Sequence, residues 1–202
     1  HITMDDADVV NTAATSAASN AAPTDISLSA TSIAENTSSL TFTATTTDDS
    51  SSSFTYVLSG TDASYFTINS STGVLTLNAS PNYETKSSYS ITIKTSDDAA
   101  IPKSYAENFT ISVTNVNEAP SFSSSTGTGS ISENADASTV IYTASAADVD
   151  AVKSIVYSIS GGDDASLVQI DSSTGKVTLR DPADKETNAS IDFIVKATDA
   201  SD

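Results

Sequence analysis

Between residues 88 and 95 the apolar side chains Tyr89, Ile91 and Ile93 alternate with Ser88, Ser90, Thr92 and Lys94, and Phe109, Ile111 and Val113 alternate with polar neighbours in the same way. A period of two puts one set of side chains on a core face and the other in solvent, which is the mark of a half-buried strand. Runs of this kind, separated by turn residues, predict seven strands in the first half of the chain, at 25–30, 40–45, 54–58, 66–69, 74–77, 88–95 and 107–114. Asn69-Ser-Ser-Thr-Gly73 predicts a hairpin turn, with Gly73 suited to positive φ. No helix-period pattern occurs. Short strands with regular turn signals predict an all-β sandwich rather than a βαβ protein. Residues 5–22 are rich in Ala, Thr and Ser and are expected to form a linker or tail, while His1-Ile-Thr-Met4 has the look of a tag remnant.

The same text then returns. Ile68-Asn-Ser-Ser-Thr-Gly73-Val-Leu-Thr-Leu77 matches Ile170-Asp-Ser-Ser-Thr-Gly175-Lys-Val-Thr-Leu179, and the offset of 102 residues holds from Asp62/Asp164 to Asp97/Asp199. Tyr56-Val-Leu-Ser-Gly60 matches Tyr157-Ser-Ile-Ser-Gly161, and Glu35-Asn36 matches Glu133-Asn134. A repeat this long is a whole domain. The expected organisation is therefore a tail at 1–22, one module at 23–119 and a second at 120–202. The second copy stops at the equivalent of the sixth strand and so is expected to lack its seventh, with an open sheet edge. Tyr56, Tyr157, Ile68, Ile170, Leu77 and Leu179 are expected in the cores.

Composition narrows the function. The 202 residues carry 26 acidic and 8 basic side chains, a formal charge of −18, which repels nucleic acid and anionic membrane surfaces and attracts divalent cations. There is no run of apolar residues long enough to insert into a membrane. Cysteine is absent and the single His is His1. The usual nucleophile–base pairs of enzymes are thereby unavailable, and no catalytic residue or organic cofactor is expected.

The carboxylates repeat too. Glu35/Glu133, Glu84/Glu186 and Asp97/Asp199 recur in both copies, the second copy adds Asp148-Val-Asp150, and Asn115-Val-Asn117-Glu118-Ala-Pro120 joins the copies. With ordinary strand alternation Glu35 and Glu84 fall at one end of the first sandwich and Asp148, Asp150 and Asp199 at the facing end of the second. Glu118 would make a sixth acid at the seam. Such a set repels itself unless neutralised. Ca²⁺ suits it, because that ion takes 6–8 oxygen ligands in flexible geometry, whereas Mg²⁺ demands a tighter octahedron. Zinc is excluded by the lack of Cys and His ligands. Isolated acids such as Asp62, Asp163 and Asp164 are read as solvated surface charges.

These motifs resemble cadherin-type repeats, and more closely the bacterial cadherin-like extender repeats of large surface adhesins of the RTX type. Ala34-Glu35-Asn36 looks like the family's first-strand glutamate motif. Asn82-Tyr83-Glu84 looks like its Asp-x-Glu motif, Asp148-Val-Asp150 its Asp-x-Asp motif, and Asp199 its late aspartate. The connector resembles the interdomain Asp-x-Asn-Asp-Asn-x-Pro, shortened by one residue. The resemblance implies Greek-key, cadherin/Ig-like sandwiches on a cell surface, with Ca²⁺ held by Glu35, Asn82, Glu84, Asn115, Asn117, Glu118, Asp148, Asp150 and Asp199. It implies neighbouring adhesin repeats as partners. The chain departs from the pattern at Asn82 and Asn115, which replace acids, and at Ser50, which stands where copy two has Asp150. Asn20-Ala-Ala-Pro23 mimics the connector without its acids, so the first module's top is a degraded half-site. The expected function is a calcium-rigidified extender. The alternative is a calcium-dependent carbohydrate- or protein-binding module, which an exposed aromatic patch would favour.

Overall fold

A computed structural model describes residues 19–124, 126–150 and 154–199. The chain divides into two compact units between Asn115 and Val116. Each is a β structure with its own core.

In the first unit eight strands form two sheets: β1 (Asp25–Leu28), β2 (Ser32–Ala34), β3 (Thr41–Thr47), β4 (Phe54–Ser59), β5 (Phe66–Ile68), β6 (Val74–Leu77), β7 (Ser88–Asp97) and β8 (Ser104–Thr114). One sheet runs β1-β3-β6-β5 and the other β2-β8-β7-β4. The count exceeds seven because the first strand breaks and changes sheets. Its second piece, β2, runs parallel to β8 with Ile33 opposite Val113, a three-residue segment too short to show a period. The predicted alternation holds elsewhere. Tyr89, Ile91, Ile93, Ile111 and Val113 from one sheet meet Ile26, Phe42, Ala44, Leu75 and Leu77 from the other. Tyr56 and Leu77 are buried, and Ile68 packs half-buried at the margin. A part-buried hydroxyl chain ties the sheets, Thr46 Oγ1 lying 3.2 Å from Tyr56 Oη and 3.1 Å from the hydroxyl of the fully buried Thr95.

The second unit repeats this plan in β9 (Ser121–Phe122), β10 (Val140–Thr143), β11 (Ala146–Ala147), β12 (Ile155–Gly161), β13 (Val168–Ile170), β14 (Lys176–Leu179) and β15 (Ile194–Asp199). Strands β10-β14-β13 form one sheet, and β12 pairs with β15. Val168, Val177 and Leu179 centre a smaller core to which Ile141, Ile159, Ile170, Phe193 and Val195 add. Among the described residues β15 pairs with β12 alone, and no strand stands where β8 stands in the first unit.

The structure corrects one detail of the repeat. Sequence identity pairs Gly60 with Gly161, yet the structural equivalent of Gly60 is Gly162: both have positive φ, 106° and 100°, and an added Cβ would strike the facing β7-type chain at Ile91–Thr92 or Asp192–Phe193. A β-bulge absorbs the extra residue, so that Ser160 and Gly161 together oppose Ile194.

Gly73 behaves as its turn requires, with φ 70°, and a Cβ there would lie 2.6 Å from the Ala44 carbonyl oxygen. Gly73→Ala should cost about 1–3 kcal/mol in denaturant unfolding through backbone strain. Gly161→Ala, whose new carbon meets nothing nearer than 3.5 Å, should cost little. Equal costs would contradict this reading of the turn.

Candidate metal centre

Glu35 follows β2 directly, at the end of that short strand. Its N–H donates to the Thr114 carbonyl at 3.1 Å, which seats it beside the strand that leaves the unit. Asn36 then turns the chain with φ 57°, a left-handed conformation that Asn tolerates, and Asn134 repeats it with φ 59°. Asn36 N–H donates to the Pro81 carbonyl at 3.0 Å and Tyr83 N–H donates to Glu35 Oε2 at 2.8 Å. The Pro81–Thr85 turn is thus fastened to Glu35. Glu35 is only 2% exposed, and Glu84 presents a carboxylate oxygen within 4.8 Å of one of its own. Asn82 turns its Oδ1 inward to accept the Thr85 N–H at 2.7 Å, capping the turn that carries Glu84. Asn115 is exposed at the start of the connector.

Within the second unit the other five predicted residues come together. Glu118 N–H donates to Asp150 Oδ2 at 2.8 Å, Asn117 Nδ2 donates to Asp199 Oδ2 at 3.0 Å, and Asp150 N–H donates to Asp148 Oδ1 at 2.9 Å. Asp150 and Asp199 are 8% and 2% exposed. The other oxygen of Asp148, Oδ2, is buried with no hydrogen-bond partner. Buried carboxylate oxygens without partners are costly unless a cation meets them. The donor set, all oxygen and mostly carboxylate, fits a hard divalent ion.

The first unit repeats the arrangement with weaker parts. Asn20 Nδ2 donates to the buried Asp97 at 3.0 Å, as Asn117 does to Asp199. Ser50, in the place of Asp150, donates its hydroxyl to Asp48 Oδ1 at 3.0 Å, and Ala21 stands where Glu118 would be. Lys103 Nζ donates to the Asn20 carbonyl, bringing a fixed positive charge to this end. The sequence offered no signal for Lys103, because the second copy has no counterpart to compare. Burial pushes the Asp97 carboxyl up, but donation from Asn20, Lys103 N–H and Ala99 N–H outweighs it and leaves the group below its ordinary range. At the other end of the second unit Glu133, Asp184 and Glu186 lie exposed with carboxylate oxygens within 4.8 Å. The Glu186 contact, then desolvation and Asp184, push the Glu133 carboxyl up.

Asp62 is not the solvated charge expected of it. It is 7% exposed, accepts the Ser90 N–H at 2.7 Å and pairs with Lys86 at 2.9 Å. Asp164 accepts the Asp192 N–H at 2.9 Å in the same way, so this repeated acid pins a turn to the sheet in both units. The Ser90 N–H, then Lys86, holds the Asp62 carboxyl below its ordinary range, while Asp62 holds the Lys86 ammonium above its own. A depressed carboxyl stabilises the fold above its unfolded pKa of about 3.9, and that contribution is lost as pH falls through the folded value. A raised amine stabilises below about 10.4, and its contribution is lost as pH rises through the folded value. Asp62→Ala should therefore lower stability at neutral pH by about 1–3 kcal/mol, since it strands the Ser90 N–H. The deficit should shrink toward pH 3. An unchanged midpoint in urea would contradict the role.

The fold and the site define a chain of two tandem β-sandwiches with acids repeated at their ends. A family model described as the cadherin domain matches residues 29–114 and 127–202, and the chain belongs to that family. Protocadherin Fat 4 of mouse is 32% identical over 149 residues, 72% of this chain and 3% of its own length. Human protocadherin beta-1 is 33% identical over 130 residues, 62% of this chain and 16% of that protein. The chain thus spans a small fraction of these relatives. Among solved structures, mouse cadherin-23 EC22-24 superposes with a TM-score of 0.64 at 21% identity, over 88% of this chain and 61% of that one. Human protocadherin-24 EC1-2 gives 0.62 at 21%, over 89% and 94%. These likenesses show the fold. Cadherin domains are extracellular adhesion domains that depend on calcium, and no helix among the described residues is long and apolar enough to cross a membrane.

Proposed function

We propose that this chain is an extender segment of a large cell-surface adhesin, of the bacterial RTX type, in which Ca²⁺ bound around the Asn115–Pro120 connector stiffens the joint between the two modules. The observation that carries this reading is the buried acid set of the second unit, where Asp148 Oδ2 lacks a hydrogen-bond partner beside the buried Asp150 and Asp199. Glu35 and Glu84 supply a matching acidic pair in the first unit. Glu118 follows Thr114, which accepts the Glu35 N–H, by four residues, and four residues reach at most about 14 Å. Covalent geometry therefore keeps both acidic groups near the connector.

In this reading Glu35, Glu84, Glu118, Asp148, Asp150 and Asp199 hold the ion with carboxylate oxygens, and Asn82, Asn115 and Asn117 add amide or backbone oxygens. Bound calcium supplies the positive charge that cancels their repulsion. The chain itself does the positioning: the Glu118 and Asn117 bonds fix Asp150 and Asp199, and the left-handed Asn36 with the Pro81 turn fixes Glu35. The neighbouring repeats of the same adhesin are the partners along the rod. Calorimetric titration tests the assignment. Calcium should bind, and magnesium at the same concentration should displace it poorly. A chain that takes up no calcium, or prefers magnesium, would overturn the proposal.

A further inference from the structure

A cleft of about 490 Å³ opens on the side of the first unit, between the short 3-10 turn Ala63–Tyr65, the residues after β6, and the segment leading into β7. Its chemistry is unlike that of the acidic ends. Tyr65 and Tyr89 lie with ring centroids 5.2 Å apart, tilted by 59°, and Lys86 Nζ sits 5.6 and 5.5 Å from the two centroids. Tyr89 is buried and backed by Phe66, whereas Tyr65 is 48% exposed. Asn78 is clamped at the rim, its Nδ2 donating to the Ser64 carbonyl at 3.2 Å and its Oδ1 accepting from Thr67 at 3.3 Å. Each of those amide atoms keeps one further hydrogen-bonding position.

The turn does not need this set. At the same positions, 102 residues on, the second unit has Leu167 for Tyr65, Asn188 for Lys86, Ile191 for Tyr89 and Arg180 for Asn78, and it builds the same 3-10 turn and the strands Val168–Ile170 and Lys176–Leu179, while β15 begins only at Ile194. What remains common to both units is the acid that pins the turn, Asp62 or Asp164.

The ligand class follows from the lining. Lys86 is already paired with Asp62, so the cleft offers no uncompensated charge to an anion, in a chain that carries −18 overall. No carboxylate lines it, so it offers a metal ion no charged ligand. An aromatic ring with exposed surface, beside an immobilised amide, hydroxyls and an ammonium with two donor positions left, matches a sugar ring. A pyranose presents an apolar C–H face for stacking and hydroxyls at its edge for the polar groups. The volume lies in the usual range for small-ligand sites. We propose that this cleft binds a neutral saccharide, with Tyr65 as the stacking platform and Asn78 and Lys86 as hydroxyl partners. The site lies wholly within the first unit and shares only Asn82 and Thr85, at its rim, with the turn assigned to calcium.

The test uses the whole 202-residue chain against an array of glucose-, galactose-, mannose- and fucose-terminated neutral oligosaccharides, followed by NMR titration with the best binder. Amide shifts should map to Ser64, Tyr65, Asn78 and Lys86. Tyr65→Ala should weaken binding about tenfold or more, and Tyr65→Phe should retain most of it, since stacking needs the ring and not the hydroxyl. Tyr65 lies outside the buried core, and circular dichroism checks that both variants fold. Three results would overturn the proposal: no neutral saccharide bound at millimolar concentration, undiminished binding by Tyr65→Ala, or shifts that map to the second unit. Binding that persists in chelator supports the independence of this site, whereas binding lost in chelator but kept in Tyr65→Ala would place it elsewhere.

Discussion

Removing calcium from this chain should lower its melting temperature by roughly 10–20 °C and loosen the joint between the modules while leaving the strands in place. A ligand that binds only the folded state stabilises it by about 2.7 kcal/mol at 100 times its Kd. For domains of this size each kcal/mol moves the melting temperature by about 4–8 °C. The strands survive because each unit has its own apolar core, the first around Ile91, Ile93 and Ile111, the second around Val168, Val177 and Leu179. The charges around the connector, in contrast, lose what neutralised them, and repulsion between them grows as ionic strength falls. Far-ultraviolet circular dichroism should therefore change little on chelation. Small-angle scattering should show a broader range of chain dimensions, most clearly at low salt. Identical scattering with and without chelator, alongside proven calcium binding, would sink the stiffening mechanism and leave only local stabilisation.

The second large effect is expected at Asp150. Its carboxylate is buried, accepts the Glu118 N–H and belongs to the same set as Asp148 and Asp199. Asp150→Ala removes both a charge and an anchor of the connector, and calcium affinity should fall at least about tenfold, the equivalent of 1.4 kcal/mol. Asp150→Asn separates the two contributions, since an amide oxygen can still accept the Glu118 N–H but carries no charge. If charge dominates, the asparagine variant should resemble the alanine one in calcium affinity and the parent in stability without calcium. Asp25→Ala, an exposed acid on β1, serves as the control and should leave the affinity unchanged. Equal calcium binding by Asp150→Ala and the parent chain would show that the ligand assignment is wrong.

The strands of the first unit were legible because Tyr89, Ile91 and Ile93 announce their period in eight residues, and the Asn69–Gly73 turn because glycine takes φ 70° with the least strain. The two-module plan followed from the repeat, and the match of the cadherin family to both halves agrees with the resemblance carried by Glu35, Asn82-Tyr83-Glu84 and Asp148-Val-Asp150. What escaped the sequence has a physical pattern. The switch of β2 to the second sheet spans three residues, fewer than a period needs. Asp62 meets Ser90 and Lys86, 28 and 24 residues along the chain, and no local feature marks residues that meet only after folding. Its recurrence as Asp164 was the available clue, since a solvated acid has no reason to return at a fixed offset. Asn82 was read only as a ligand, and its capping bond to Thr85 shows why an amide tolerates the place of an acid there: the turn needs an acceptor whatever its charge.

The bulge at Ser160–Gly161 has a consequence at the level of the gene. Before it, Tyr56 and Tyr157 face Thr95 and Ala197, equivalent positions on the opposing strand. After it, Gly60 and Gly162 again face equivalent positions. The extra residue is thus confined to one step of the ladder, and register is the same on either side. An unequal crossover between the two copies, anywhere in the shared Ile68–Leu77 and Ile170–Leu179 block, joins the front of one to the back of the other without shifting any strand to its wrong face. In the proposed extender, recombination of this kind lengthens or shortens the array by whole modules, so that reach is adjusted by copy number rather than by point mutation.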